Sequence, residues 1–329
     1  MTDRGEGRVP LRRPLREPAR AYRPRRAVTG LAVLVSRTEA PMRTIAPFLI
    51  GLIATAAFAA EPDAGAIARI TGLQPETKNN VTKVSVPRSD LAVTVDGVKM
   101  QPFQGFTSWA AFTGGGAQTV VMGDLTLTEN QVTPVMDAAL GNGLEVTALH
   151  NHFSFDRPRI LFMHIAGTGS TEQLATAVRR SLDAIQQSAG PAETFGGPTI
   201  PAENSIDPKP LEAILGISAQ AKDGMAKFVF AKQTKAHGVD LGADMGVNTW
   251  AAFAGSPQTA VVDGDFAMLE SELQPVLKAL RAAKINVVAI HSHMTHEQPR
   301  VMFLHFWGKG SADDLARGIK AARATQRPS

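Results

Sequence analysis

The sequence predicts an α+β fold built as two tandem homologous repeats, each an antiparallel sheet with a β-α-β-β-α core. Three observations predict it. Residues recur at a fixed step: Trp109 and Trp250, His150 and His291, and His164 and His305 are each 141 residues apart. The match runs ungapped from Asp96-Gly97-Val98, against His237-Gly238-Val239, into the last helix of each copy. Upstream the step is 144, with Gly72 on Gly216 and Lys83 on Lys227, the mark of a duplicated unit. Within each copy, β-branched runs alternate with runs of helical period. Finally, a Pro/Gly-rich linker, residues 189–210, separates repeat one (66–188) from repeat two (211–329).

In the first copy a short helix spans Ala66–Ile70. Strands are expected near Val81–Val86, Leu91–Val95 and Ser108–Phe112, and the apolar run Thr119–Leu127 forms another. Thr128 caps a helix that runs to Leu140, with Gly141 and Gly143 as its stop. Strands at Leu144–His152 and Pro158–Gly167 follow, and Ser170 caps a final helix with Leu174, Ala177, Val178, Leu182 and Ile185 on one face. This is a split α+β unit with an antiparallel hairpin. Two such units side by side can share one continuous sheet, hiding edges that each alone would expose.

Ahead of the repeats, residues 1–41 are rich in Arg and Pro and read as an over-extended leader. Met42 opens what reads as a secretory signal over 42–60: Arg43, an apolar run, and the small-residue site Ala57-Phe58-Ala59. A twin-arginine leader around Arg25-Arg26 and a membrane anchor are the rival readings, but the apolar run is short for a span. Export with cleavage implies a periplasmic or secreted protein with no stable membrane insertion. The net charge of +4 and pI of 9.5 come from this leader, because residues 1–60 hold eleven Arg, no Lys and four acids. The remainder carries 23 basic and 26 acidic residues, which argues against a nucleic-acid partner. Cysteine is absent, which excludes disulfides, thiolate metal sites, a cysteine nucleophile and a lipidated N-terminal cysteine.

Seven of the eight histidines lie in two matching stretches, Leu144–Gly167 and Ile285–Gly308. Each has His-x-His, an acid four residues on, Pro-Arg, and a third histidine. Alternation puts His150 and His152 on one face of a strand, and a hairpin centred near residue 157 sets His150 opposite His164. The metal-ligand candidates are therefore His150, His152 and His164, and His291, His293 and His305. Asp156 and Glu297 stand as fourth ligand or general base. Nitrogen and carboxylate donors without sulfur suit a divalent transition metal, Zn, Mn, Fe or Cu. The histidines can instead serve as hydrogen-bonding or acid–base groups without a metal, or be structural. The opening of a cupin metal motif is echoed, but the rest of that pattern is missing.

Arg159 and Arg300 beside the acids are either salt-bridge partners of Asp156 and Glu297 or contacts for an anionic ligand. Asp124 and Asp265 follow a glycine; turn chemistry is the plainer reading and a second site carboxylate the alternative. Trp109 and Trp250 read as core rather than ligand-stacking residues. His296 is accessory, and His237, which matches Asp96, carries little signal. No phosphate loop or dinucleotide fingerprint is present.

The segments MGDLTLTENQVTPVM, EVTALHNHF, PRILFMH, MGVNTWAAFAG, VVDGDFAM, ELQPVLKAL, INVVAIHSHM and PRVMFLHFWGKG resemble the LppY/LpqO family of exported bacterial proteins, over nearly all of both halves. The resemblance implies a secreted or cell-envelope protein and no established activity. Some members are lipoproteins; this chain, lacking cysteine, departs from them. Two functions follow as expectations: a metal-dependent enzyme acting on a small molecule or envelope component, or a non-catalytic binder of metal or an envelope ligand. A scaffold with no site predicts histidines scattered over both faces.

Overall fold

A computed structural model describes residues 61–115, 118–188, 190 and 194–327 of the 329-residue chain. The leader and signal expectations, and part of the linker, lie outside the described residues. Repeat one contains α1 (Ala64–Thr71), β1 (Glu76–Lys78), β2 (Val81–Pro87), β3 (Thr94–Val95), β4 (Val98–Lys99), β5 (Thr107–Thr113), β6 (Thr119–Thr128), α2 (Glu129–Gly141), β7 (Glu145–His150), β8 (Asp156–Arg157), β9 (Ile160–Gly169) and α3 (Thr171–Gln187). Repeat two contains α4 (Pro208–Leu215), β10 (Gln220–Lys222), β11 (Met225–Ala231), β12 (Thr234–Ala236), β13 (Val239–Leu241), β14 (Asn248–Gly255), β15 (Ala260–Leu269), α5 (Leu273–Ala282), β16 (Asn286–His291), β17 (Glu297–Gln298), β18 (Val301–Gly310) and α6 (Ala312–Ala324). Among the described residues no helix is long and apolar enough to cross a membrane.

One 12-stranded sheet runs through both repeats in the order β1-β2-β5-β6-β9-β7-β16-β18-β15-β14-β11-β10, and every pairing in it is antiparallel. The repeats meet where β7 pairs with β16, Leu149 opposite Ile290. These two residues are equivalent in the 141-residue repeat, so a pseudo-twofold axis passes between them, normal to the sheet. Such an axis keeps equivalent side chains on the same face. Leu149 and Ile290 are both buried, each removing side-chain area from water for about 1.5–3 kcal/mol. Gln274 of α5 bonds both backbone groups of Val146, at 3.1 and 2.9 Å, and Arg281 pairs with Asp137 across the junction. The outer strands β1 and β10 are three residues long, wholly exposed and end in Lys78 and Lys222, which blunts both edges.

The helices cover one face of this sheet. Val121, Leu125, Leu149, Met163 and Ile165 point to that side and share a core with Val135, Leu174 and Val178. The helix starts form as their sequences specify: Gln131 reaches back to the Thr128 N–H at 3.0 Å, and Ser170 accepts from Gln173 N at 3.2 Å. The expected strand Leu91–Val95 is reduced to Thr94–Val95. That segment instead forms a flap whose Val93 and Phe106 pack on Ile160 and Phe162, side chains of the uncovered face. β3 pairs with β8 at the hairpin tip, as β12 pairs with β17 in repeat two.

Candidate metal centres on the uncovered face

A β-bulge sets the direction of the histidines. In β7, Val146 lies opposite Ile165 but Ala148 lies opposite His164, so Thr147 is an extra residue. Val146 and Leu149 both reach the core, three positions apart, where a regular strand would send them to opposite faces. The inserted residue flips every later side chain, and His150 emerges on the uncovered face. β16 repeats the device, with Val288 inserted between Val287, opposite Phe306, and Ala289, opposite His305. The register corrects the expected pairing: His150 lies opposite Phe162, not His164. The difference is two residues, so the face is unchanged and the three rings still gather.

In repeat one the His150 ring centroid is 5.1 Å from that of His152 and 5.0 Å from that of His164. In repeat two His291 is 5.2 Å from His293 and 4.7 Å from His305. Beyond the strand end the chain folds His152 onto Phe162 at 3.4 Å, and His293 onto Phe303 at 3.5 Å. These phenyl rings, Phe162 packed by Val93, Phe106 and Ile160 and Phe303 by Ala267, Val301 and Met294, form the floor of each cluster.

The acid at the centre comes from a neighbouring strand. Asp124 lies directly opposite His164, and Asp265 opposite His305. Both are mid-strand and buried, which overturns the turn reading of the Gly-Asp pairs. The glycine permits close packing instead: a Cβ on Gly264 would stand 2.1 Å from the Trp250 carbonyl oxygen and 2.4 Å from the Phe306 ring. Asp265 Oδ2 is 3.0 Å from His293 Nε2, and Oδ1 is 3.7 Å from His291 Nε2. One donor atom from each of Asp265, His291 and His293 falls within 4.8 Å of the others. Backbone carbonyls orient the rings, Gly246 O lying 3.2 Å from His293 Nδ1 and Gly264 O 3.2 Å from His305 Nδ1. With Nδ1–H donated in this way, Nε2 is left as a lone-pair donor.

Electrostatics match this arrangement. Burial raises the pKa of Asp124 and Asp265, opposed in part by the surrounding histidines. Burial lowers that of His152 and His291, opposed in part by the aspartates. Burial thus disfavours the charged form of each of these four groups. Asp124 Oδ1 in the first cluster, and Asp265 Oδ1 and His291 Nε2 in the second, are buried without a hydrogen-bond partner. Such orphans are costly, and a cation in each cluster would satisfy them.

The structure gives Asp156 and Glu297 a different task. Asp156 Oδ2 accepts from Ile160 N at 2.6 Å, and Glu297 Oε1 from Val301 N at 3.4 Å. Both carboxylates are buried where the flap strand pairs with the hairpin, bracing the turn instead of completing the cluster. Arg159 and Arg300 are exposed, and neither makes an ion pair among the described residues. Trp109 and Trp250 are half-buried on the uncovered face instead of lying in the core. His237 and His296 sit at exposed loop positions with rings 5.6 Å apart.

Residues 65–184 and 209–325 each match one family, described as a Domain of Unknown Function (DUF1259). Comparison with curated proteins gives no match. Among solved structures, the trimeric bacterial microcompartment shell protein PduB shares 12% identity, over 76% of this chain and 89% of its own, at a TM-score of 0.21. The double-ringed trimeric shell protein MSM0271 from the RMM microcompartment shares 12%, over 64% and 82%, at 0.18. EtuB from Clostridium kluyveri shares 12%, over 78% and 90%, at 0.21. Scores at this level support no inference.

Proposed function

The chain belongs to the Domain of Unknown Function (DUF1259) family, and we propose that each of its repeats is a centre for a divalent transition metal. Asp124, His150, His152 and His164 would hold one ion, and Asp265, His291, His293 and His305 the other. The single observation that carries this is the set of partnerless buried atoms, Asp124 Oδ1, Asp265 Oδ1 and His291 Nε2, at the heart of the two clusters. Three imidazoles and one carboxylate without sulfur suit Zn, Mn, Fe or Cu. When bound, such an ion would acidify a water or polarise a substrate oxygen. The chain's own residues hold the donors in place: Gly246 and Gly264 carbonyls fix the His293 and His305 rings, and Phe162 and Phe303 back those of His152 and His293.

The clusters lie on the face the helices leave uncovered, and His152 and His293 are exposed. That access favours a metal-dependent enzyme acting on a small molecule or envelope component over a closed metal carrier. The signal-like segment at 42–60 and the LppY/LpqO resemblance add that the protein works outside the cytoplasm, in the periplasm or after secretion. Cobalt(II) substitution tests the reading. A visible d–d spectrum should develop, shift on addition of azide, and disappear in a His150→Ala/His291→Ala double variant. A spectrum indifferent to azide would support the closed, non-catalytic carrier, and no spectrum at all would end the metal reading.

A further inference from the structure

All three tryptophans of the chain lie on the same face as the clusters, and none is in the core. Trp109 stands directly opposite Asp124, and Trp250 opposite Asp265. Trp307 is two residues beyond His305 on β18, opposite Asp263. Each indole is half-buried. The exposed Lys83 places its ammonium 4.4 Å from the Trp109 ring centroid, and Lys227 stands at 4.4 Å from that of Trp250. From β2 to β11 the face therefore reads lysine, indole, aspartate–histidine centre, histidine–aspartate centre, indole, lysine. Nine strand spacings of about 4.8 Å make this strip on the order of 40 Å across. Linker residues Thr194–Ile200 fold back beside Val261, Trp307 and Lys309 and give it a shallow groove at the repeat-two end.

We propose that this strip binds one extended anionic glycan, whose sugar rings stack on the indoles and whose carboxylates meet the lysines and the two metal centres. The inference rests on the metal reading above for its central contacts, and on the tryptophans and lysines alone for its outer ones. Flat aromatic platforms suit the C–H faces of pyranose rings, since a half-exposed indole offers apolar area without a deep pocket. The half-buried Asp263 beside Trp307 offers an acceptor to hydroxyl groups, which a sugar supplies in number. Single-stranded nucleic acid also stacks on aromatics, but it needs a groove dense in positive charge along its backbone. Here the cations beside the Trp109 and Trp250 indoles, Lys83 and Lys227, stand singly at the two ends of the strip.

The test is a tryptophan-fluorescence titration of the zinc-loaded protein with oligogalacturonates of graded length, with metal content measured on the same samples. Oligothymidylate is run in parallel. Oligomers long enough to reach both centres should bind at least about tenfold tighter than the dimer, the gain expected when a second contact becomes intramolecular. Lys227→Glu, an exposed change that leaves the fold alone, and Trp250→Ala should each weaken the long oligomers several-fold with metal content unchanged. The proposal is overturned by affinity that does not grow with length, by variants that bind as wild type, or by oligothymidylate binding more tightly. If the protein holds no metal yet the length dependence and the Lys227→Glu loss persist, the metal reading has failed and the glycan strip stands.

Discussion

Gly264→Ala probes the packing that sets Asp265 in place. The added methyl would lie 2.1 Å from the Trp250 carbonyl oxygen and 2.4 Å from Cζ of Phe306. The first contact is backbone in a paired strand, and the second belongs to a fully buried ring, so neither can swing aside. β15 must move by roughly 1 Å against β14, and overpacking of this kind costs about 3 kcal/mol. For a chain of this size that corresponds to a fall in Tm of about 6–12 °C. Gly123→Ala is the internal comparison. Its closest contacts are 2.7 Å to the Trp109 carbonyl oxygen and 2.9 Å to the Ile165 side chain. That side chain is flexible, so about 1–2 kcal/mol is expected. Urea denaturation of both variants measures the difference, and elemental analysis of the folded Gly264→Ala protein should show loss of the repeat-two ion alone. A Gly264→Ala protein within about 0.5 kcal/mol of wild type, or one less affected than Gly123→Ala, would refute the packing argument.

Three more predictions follow from the same geometry. Deleting Val288 removes the repeat-two bulge and turns His291 and His293 toward the helices; metal content should fall by the repeat-two ion and stability should drop, whereas a merely irregular strand would tolerate the deletion. Asp156→Ala should cost about 1–3 kcal/mol in denaturant titrations by leaving the Ile160 N–H unpaired, with no change in bound metal. Burial alone would raise the Glu272 carboxyl, but Leu269 and Arg327 N–H groups and the Lys232 ammonium outweigh it and hold its pKa below the usual value of 4.5. Its stabilisation is therefore present in full above that value and is lost as pH falls through the folded-state pKa. Glu272→Gln should cost about 2–3 kcal/mol at pH 7, and the gap from wild type should close on acidification; a gap independent of pH would contradict this.

The repeat step, the helix caps and the gathering of six histidines are legible in the sequence because each depends on local pattern. The bulge is what local pattern hides. Its trace is the spacing of Val146 and Leu149, and of Val287 and Ile290, each pair buried at an odd separation of three. Regular alternation from Val146 would turn His150 into the core; the hairpin pairing puts it on the face of His164 only because its register error is two. The acid of each cluster is hidden for a related reason. Asp156 and Glu297 lie near the histidines along the chain, whereas Asp124 and Asp265 reach them across the β6–β9 and β15–β18 pairings. Nothing in a single sequence fixes that register; the recurrence of Gly-Asp inside an apolar run in both copies was the available signal. Size alone favours the core for Trp109 and Trp250, but their strands alternate, and Ala110, Phe112, Ala251 and Phe253 take the buried positions.

The central claim is that Asp124 and Asp265, with their histidine trios, each hold a metal ion. Elemental analysis of the purified protein measures it directly, beside Asp124→Asn, Asp265→Asn and an Asp156→Asn/Glu297→Gln control. The account predicts one ion per repeat in the wild type and in the control, and loss of one ion in each aspartate variant. Wild type without metal, or aspartate variants that keep the full complement while the control loses it, would contradict the account.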